Sequence, residues 1–162
     1  MKFHKKTDIW FDMKLEIVKA GINGEGIGFF KRKPVFVEGA FPGEIVDCKL
    51  FDEGNHYKGQ LNAVLRKSKY RILPACPYAD RCGACSLMAM TYEEQLRIKK
   101  QLLEGALRKY VGINVDVGTI VPSKKIFHYR NKSNLPVVEK DGVLINALYQ
   151  QGSNHPAFIS GF

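Results

Sequence analysis

The clearest pattern along the chain is a two-residue alternation near its start. Met13, Leu15 and Ile17 alternate with Lys14 and Glu16, which places the apolar side chains on one face of a strand. Four more short segments follow, at 26–30, 34–38, 44–51 and 57–65, each bounded by Gly, Pro or Asn-rich turns. Five short strands at this regular spacing predict a small all-β unit over 12–68, closed as a compact barrel, because closure removes the exposed edges of a small sheet.

The periodicity then changes. Thr91 and Glu94 have the spacing of a capping box, and Leu96, Leu103, Leu107 and Tyr110 recur at helical intervals until Gly112, which predicts a helix over 91–110. Between barrel and helix, 69–90 reads as a loop. Beyond the helix, 129–138 reads as a strand, Asp141-Gly142 as a hairpin turn and 143–149 as the returning strand. The expected fold is therefore mainly β with some α: a five-stranded barrel, a cysteine loop, one helix and a partial α+β domain over 91–162. The chain stops at an apolar stretch, Phe158-Ile-Ser-Gly-Phe162, which reads as a domain cut short.

The loop carries the chemistry. Cys76-Pro-Tyr-Ala-Asp-Arg-Cys82-Gly-Ala-Cys85 sets three of the four cysteines at C-x5-C-x2-C spacing. This is not the paired C-x2-C arrangement of a structural zinc site, and is nearer the compact runs that hold iron–sulfur clusters. Zinc with His56, His128 or His155 as a fourth ligand is the competing assignment, and unliganded thiols the plain one. Cys48 shares the apolar face of its strand with Val46 and Leu50 and reads as a small buried hydrophobe, neither ligand nor nucleophile.

Charge adds a partner class. The 162 residues carry 25 Lys and Arg against 16 Asp and Glu, a net charge of +9. The surplus is shared, +4 over residues 1–70 and +5 over 71–162. Such a field attracts polyanions, of which nucleic acid is the commonest. The run Phe29-Phe-Lys31-Arg32-Lys33 and the triplet Arg130-Asn131-Lys132 beside Tyr129 combine cations with aromatics, as nucleic-acid contacts do; solvated lysines on a turn and polar decoration of a strand are the plain alternatives.

Other classes are disfavoured. No apolar run is long enough to span a membrane, and the basic residues 1–7 are not followed by a signal-peptide core. Clustered thiols suit a reducing compartment, so the chain is expected in the cytoplasm. Gly24-Glu-Gly-Ile-Gly28 lacks the Lys and Ser/Thr ending of a phosphate loop and reads as hairpin glycines. No catalytic constellation is visible.

These elements together resemble the N-terminal part of the RumA/TrmA-like RNA (uracil-5-)methyltransferases. The resemblance rests on the barrel with Gly24-Glu-Gly-Ile-Gly28 and Phe41-Pro-Gly-Glu-Ile-Val46, the cysteine loop, Tyr92-Glu-Glu-Gln-Leu96 with Lys99, Tyr129-Arg-Asn-Lys132 with Pro136-Val137, and Leu148-Tyr-Gln-Gln-Gly-Ser-Asn-His155. It implies that the barrel is an OB-like TRAM domain gripping RNA, expected to be ribosomal. It implies that Cys76, Cys82 and Cys85 are three ligands of a [4Fe-4S] cluster whose fourth lies beyond these residues. S-adenosylmethionine, the catalytic cysteine and the base belong to a domain this sequence does not include. Lys31, Arg32, Lys33, Arg130, Asn131 and Lys132 are the expected RNA contacts of a monomer. Two rivals stand beside this reading: a stand-alone RNA-binding protein with a zinc or iron–sulfur site, and a small redox or zinc protein whose basic charge is incidental.

Overall fold

The computed structural model describes residues 11–159. The basic segment 1–7 and residues 160–162 of the apolar ending lie outside the described residues. Six strands form one mixed sheet: β1 (Phe11–Glu16), β2 (Lys19–Ala20), β3 (Gly26–Phe30), β4 (Lys33–Val37), β5 (Ile45–Asp52) and β6 (Tyr57–Arg66). Their order is β1-β5-β6-β4-β3-β2, with every pairing antiparallel except β4 with β6.

The five predicted segments are all strands, and β2 is the addition. It arises because the first strand bends at Ile17 and Val18. Before the bend the segment pairs with β5, and after it with β3. At the bend itself Ile17 N donates to Glu44 O at 2.9 Å and Val18 N to Ile27 O at 2.9 Å. The two edges of the sheet are thus successive parts of one segment. No ladder joins those edges to each other, so the sheet is curled and open where the strand spacing predicts a closed barrel. Gly28 permits the curl, since a Cβ there would stand 2.6 Å from Glu16 O and 2.7 Å from the Leu15 side chain.

Alternation builds the core. Val46, Cys48 and Leu50 on β5, Val35 and Val37 on β4, and Leu15 and Ile17 from the bent segment bury one contiguous cluster. Cys48 is fully buried, as its apolar face requires. At one end Phe30 packs between Phe11 and Tyr57, with ring centroids 5.2 and 5.5 Å away.

Helix α1 (Tyr92–Ala106) continues into a single π-helical turn at Leu107–Val111, and Gly112 ends it with φ of 73°. Two details depart from expectation. Thr91 precedes the helix, but its hydroxyl is buried without a partner and caps nothing. Glu94 bonds Arg97 instead, accepting from Nε at 2.6 Å, so no capping box forms. The buried face is also different: Ile98 is 1% exposed and packs with Phe41 and Met90, whereas Leu103 and Tyr110 are exposed. The cluster that receives the helix comes from distant segments, so spacing among the leucines alone picks the wrong stripe.

Past the helix the chain runs back along α1. Lys100 Nζ bonds Asp116 at 2.6 Å, Glu104 accepts from Val117 N at 3.2 Å, and Tyr92 OH accepts from Ser123 N at 2.8 Å. Of the strand predicted at 129–138 only the end forms, within β7 (Val137–Lys140). Residues 129–134 are exposed and have no strand partner, and Pro136 has no N–H to give. The Asp141-Gly142 turn is as expected, with φ of 53° and 79° joining β7 to β8 (Val143–Asn146). A last small pair joins β9 (Leu148–Tyr149) to β10 (Pro156–Ala157). No helix among the described residues is long and apolar enough to cross a membrane.

Candidate metal loop and nucleic-acid surface

The cysteine loop has a stem. Arg71 and Met90 form an antiparallel bridge, Ile72 N donates to Ala89 O at 2.9 Å, and Thr91 N donates to Tyr70 O at 2.9 Å. These pairings close the chain on either side of the three cysteines. Met90 anchors the stem in the cluster with Phe41 and Ile98. Arg71 anchors it to the sheet through the buried carboxylate of Glu44.

The loop also touches the far end of the chain. Gly83 N donates to Tyr149 O at 2.9 Å, and a Cβ at Gly83 would lie 2.6 Å from Gln151 Cα. On its other side, a Cβ on Gly24 would lie 2.6 Å from Ser86 Cβ. The loop is therefore wedged between the β2–β3 turn and the β9–β10 hairpin. A cleft of about 710 Å³ opens at this junction, lined by Glu25, Glu38, Glu53 and His56 together with Gly83 and Gln151. Three carboxylates against the one ammonium of Lys58, itself paired with Glu38 at 4.0 Å, make it a poor receptor for phosphate.

The thiols differ in surroundings. Cys76 and Cys82 are half-buried and Cys85 is exposed, and none is in a disulfide. Desolvation pushes the Cys85 thiol above its usual value, and the neighbouring Cys82 and Cys76 sulfurs push the same way, while Arg130 pulls against them. Mutual repulsion of this kind is what a bound cation relieves. Ala84 N donates to Cys82 Sγ at 3.5 Å. The donor set fits a thiolate-held metal centre in kind and in neighbourhood. It is not drawn together: among the described residues no group of three or more His, Cys, Asp or Glu side chains is set to hold a metal ion. The histidines weighed for zinc do not complete a set either. His56 instead packs edge-on against Phe36, with centroids 5.3 Å apart.

The predicted cations separate into three groups. Lys31 and Arg32 form the exposed two-residue tip between β3 and β4, with φ of 47° and 66°. Lys33 opens β4 and is engaged internally, donating to Gly54 O at 2.5 Å, pairing with Asp52 at 3.6 Å and lying 5.3 Å from the Tyr57 ring centroid. Arg130, Asn131 and Lys132 lie exposed in the irregular segment before β7, with Arg130 within electrostatic range of Cys85. Lys19 is a cation the sequence motifs did not single out. Its ammonium lies 5.6 Å from the Phe29 ring centroid, a contact made by the short β2–β3 pairing.

The fold and the loop define a basic, mainly β protein whose curled sheet carries a stemmed three-cysteine loop on its flank. No family model matches the chain. It is 35% identical over 152 residues to an uncharacterized RNA methyltransferase of Bacillus cereus, covering 92% of this chain and 33% of the relative. It is 38% identical over 145 residues to one of Streptococcus mutans, covering 87% and 32%, and 37% identical over 139 residues to one of Halalkalibacterium halodurans, covering 83% and 30%. The chain is thus similar over more than four-fifths of its length to proteins named RNA methyltransferases, in keeping with the resemblance its motifs carry, and spans about a third of the length of the curated relatives it matches.

Proposed function

We propose that this chain is the RNA-binding, iron–sulfur-bearing region of an S-adenosylmethionine-dependent methyltransferase that forms 5-methyluridine in 23S ribosomal RNA. The observation that carries the reading is identity of 35–38% to three RNA methyltransferases across more than four-fifths of the chain. In this reading the curled sheet is a TRAM-type barrel, a view supported by the bent segment that belongs to both of its edges. RNA is held at Lys31, Arg32, Arg130, Asn131 and Lys132, through phosphate contacts that position the RNA without reading its bases. Lys33, held by Asp52 and Gly54, supports the tip from behind. The protein acts in the cytoplasm as a monomer.

Cys76, Cys82 and Cys85 would hold a [4Fe-4S] cluster together with a fourth ligand from outside these residues. A cluster supplies either a rigid cross-link or a redox centre. The chain's own part is to present three thiols on a loop fixed by its stem and by Gly83. Donor binding and methyl transfer belong, in this reading, to the remainder of the relatives' length.

The test is metal and sulfide analysis with a visible spectrum on protein purified without oxygen. Iron with matching sulfide, lost on Cys82→Ser substitution, is the expected result. Zinc in stoichiometric amount replaces the cluster with a zinc site. Absence of any metal from both this chain and a form extended to the length of its relatives overturns the metal assignment. Methylation of ribosomal RNA at uridine C5 by that extended form tests the activity, and its absence with every uridine-containing RNA removes it.

A further inference from the structure

The β2–β3–β4 edge combines three features that the internal packing does not require. First, the two-residue tip Lys31-Arg32 holds both residues at positive φ, where such turns ordinarily use Asn-Gly. Side chains other than Gly, Asn and Asp are strained there, and strain of this kind collects at functional positions. No ion pair engages either residue among the described residues. Second, Phe29 is 50% exposed on the strand leading to that tip, although its neighbour Phe30 is packed between Phe11 and Tyr57. Third, a cation borders this aromatic: Lys19 Nζ lies 5.6 Å from the Phe29 centroid, while Lys31 Nζ lies 5.2 Å from that of the next ring, Phe30.

We propose that Phe29 is a stacking platform for an unpaired base of single-stranded RNA, with Lys19 beside the ring and Lys31 and Arg32 at the tip of the same hairpin holding the neighbouring phosphates. This rests on the RNA-binding reading above and adds the form of RNA recognised. An exposed ring is covered by a base face only when that base has left its own stack, which a single strand permits and an A-form duplex does not. The cations then meet the backbone that flanks the splayed base. The strained tip is retained because replacing it with Asn-Gly relaxes the turn but removes two of the three charges.

The experiment measures binding of a short oligouridylate and of an RNA duplex of matched length, by fluorescence anisotropy across a salt series. Phe29→Ala is expected to weaken oligouridylate binding roughly five- to a hundredfold. The duplex should change by less than about twofold. Phe29→Leu keeps the apolar bulk at this half-exposed position and should show the same selective loss. The double variant Lys31→Asn, Arg32→Gly should melt at a higher temperature than the parent while its salt slope flattens by up to about two phosphate contacts. Unchanged oligouridylate binding in both Phe29 variants overturns the platform, and an equal loss on both RNAs overturns its preference for single strands. A parent chain that binds neither RNA at low salt overturns the RNA-binding reading itself, a result distinct from either.

Discussion

Arg71 holds the fully buried carboxylate of Glu44 with both arms of its guanidinium, Nε at 2.6 Å from Oε1 and Nη2 at 2.8 Å from Oε2. The remaining capacity of that carboxylate is filled by Phe41 N at 2.8 Å and Ser68 N at 3.2 Å. Arg71 also donates to Gly39 O at 2.6 Å and lies 4.4 Å from the Phe41 ring centroid. One ion pair therefore joins the β4–β5 connection, the exit of β6 and the stem of the cysteine loop. Because the acid is fully buried and Arg71 only partly so, removing Arg71 leaves a desolvated charge.

Arg71→Ala is accordingly expected to destabilise the protein by about 3–5 kcal/mol, the usual cost of orphaning a buried charge. Urea unfolding measures it. Glu44→Gln keeps the shape but turns one acceptor oxygen into an NH2 donor, so it retains only one of the two backbone bonds, Phe41 N on Oε2 or Ser68 N on Oε1, and should also destabilise. A loss under about 1 kcal/mol for Arg71→Ala, the level of an exposed pair, contradicts this account.

The same carboxylate sets a pH dependence. Burial raises the Glu44 pKa, but the Arg71 hydrogen bond, the Phe41 and Ser68 amides and the Arg71 charge outweigh it and hold the group below its ordinary 4.5. A depressed folded value means that the unfolded chain binds the proton more readily. The stabilisation is thus fully present above 4.5 and disappears as pH falls from there through the lower folded value. Melting temperature followed on acidification should drop across this window, and Glu44→Gln should flatten the drop. A parallel curve for that variant assigns the acid sensitivity elsewhere.

Thiol chemistry separates Cys48 from the other three. Burial, followed by Asp47 and Asp12, pushes the Cys48 thiol up to about 11, and the side chain is inaccessible. Metal-free protein at neutral pH is expected to be labelled by a thiol reagent at Cys76, Cys82 and Cys85 while folded, with the raised Cys85 thiol slowed despite its exposure, and to release Cys48 only on unfolding. Mass spectrometry of the labelled peptides shows which sites reacted. Fast labelling of Cys48 in folded protein counts against the sheet packing described here.

Lys33 and its neighbours make a sharper contrast. In sequence, Lys31, Arg32 and Lys33 are one basic run. In the structure the turn gives Lys33 to β4 and turns its ammonium onto Asp52, Gly54 and Tyr57. Lys33→Gln should therefore lower folding stability by up to about 1 kcal/mol and leave the salt slope of RNA binding unchanged. A flattened slope returns Lys33 to the interface.

This contrast marks the limit of what the sequence makes legible. Strand β1 and the burial of Cys48 on β5 follow from local alternation, which depends only on side chains two apart, and β3, β4 and β6 from the turn residues that bound them. Strand β2 is too short to show a period. The stem pairing of Arg71 with Met90, the burial of Glu44 and the choice of Ile98 over Leu103 all depend on segments far apart in the chain, and none leaves a local trace. The cysteine trio is visible from spacing alone. Its seat against the β9–β10 hairpin is not, because Gly83 looks like any loop glycine until Gln151 is placed beside it.

That seat yields the last prediction. Gly83 N bonds Tyr149 O, and any Cβ on residue 83 meets Gln151 Cα at 2.6 Å and Gln151 N at 2.7 Å, both backbone atoms that cannot rotate away. Gly83→Ala must therefore push the loop and the β9–β10 hairpin apart, at a cost of about 1–3 kcal/mol typical of overpacking. Gly54→Ala is unsuitable as a control because Gly54 has φ of 88°; Gly105→Ala, in open helical space, should instead be neutral or stabilising. Separation of the loop exposes the bond after Arg81, so trypsin should cut Gly83→Ala there faster than the parent, and bound metal should be held less well. Equal cleavage rates and equal metal content in the parent and Gly83→Ala would show that the hairpin does not position the cysteines.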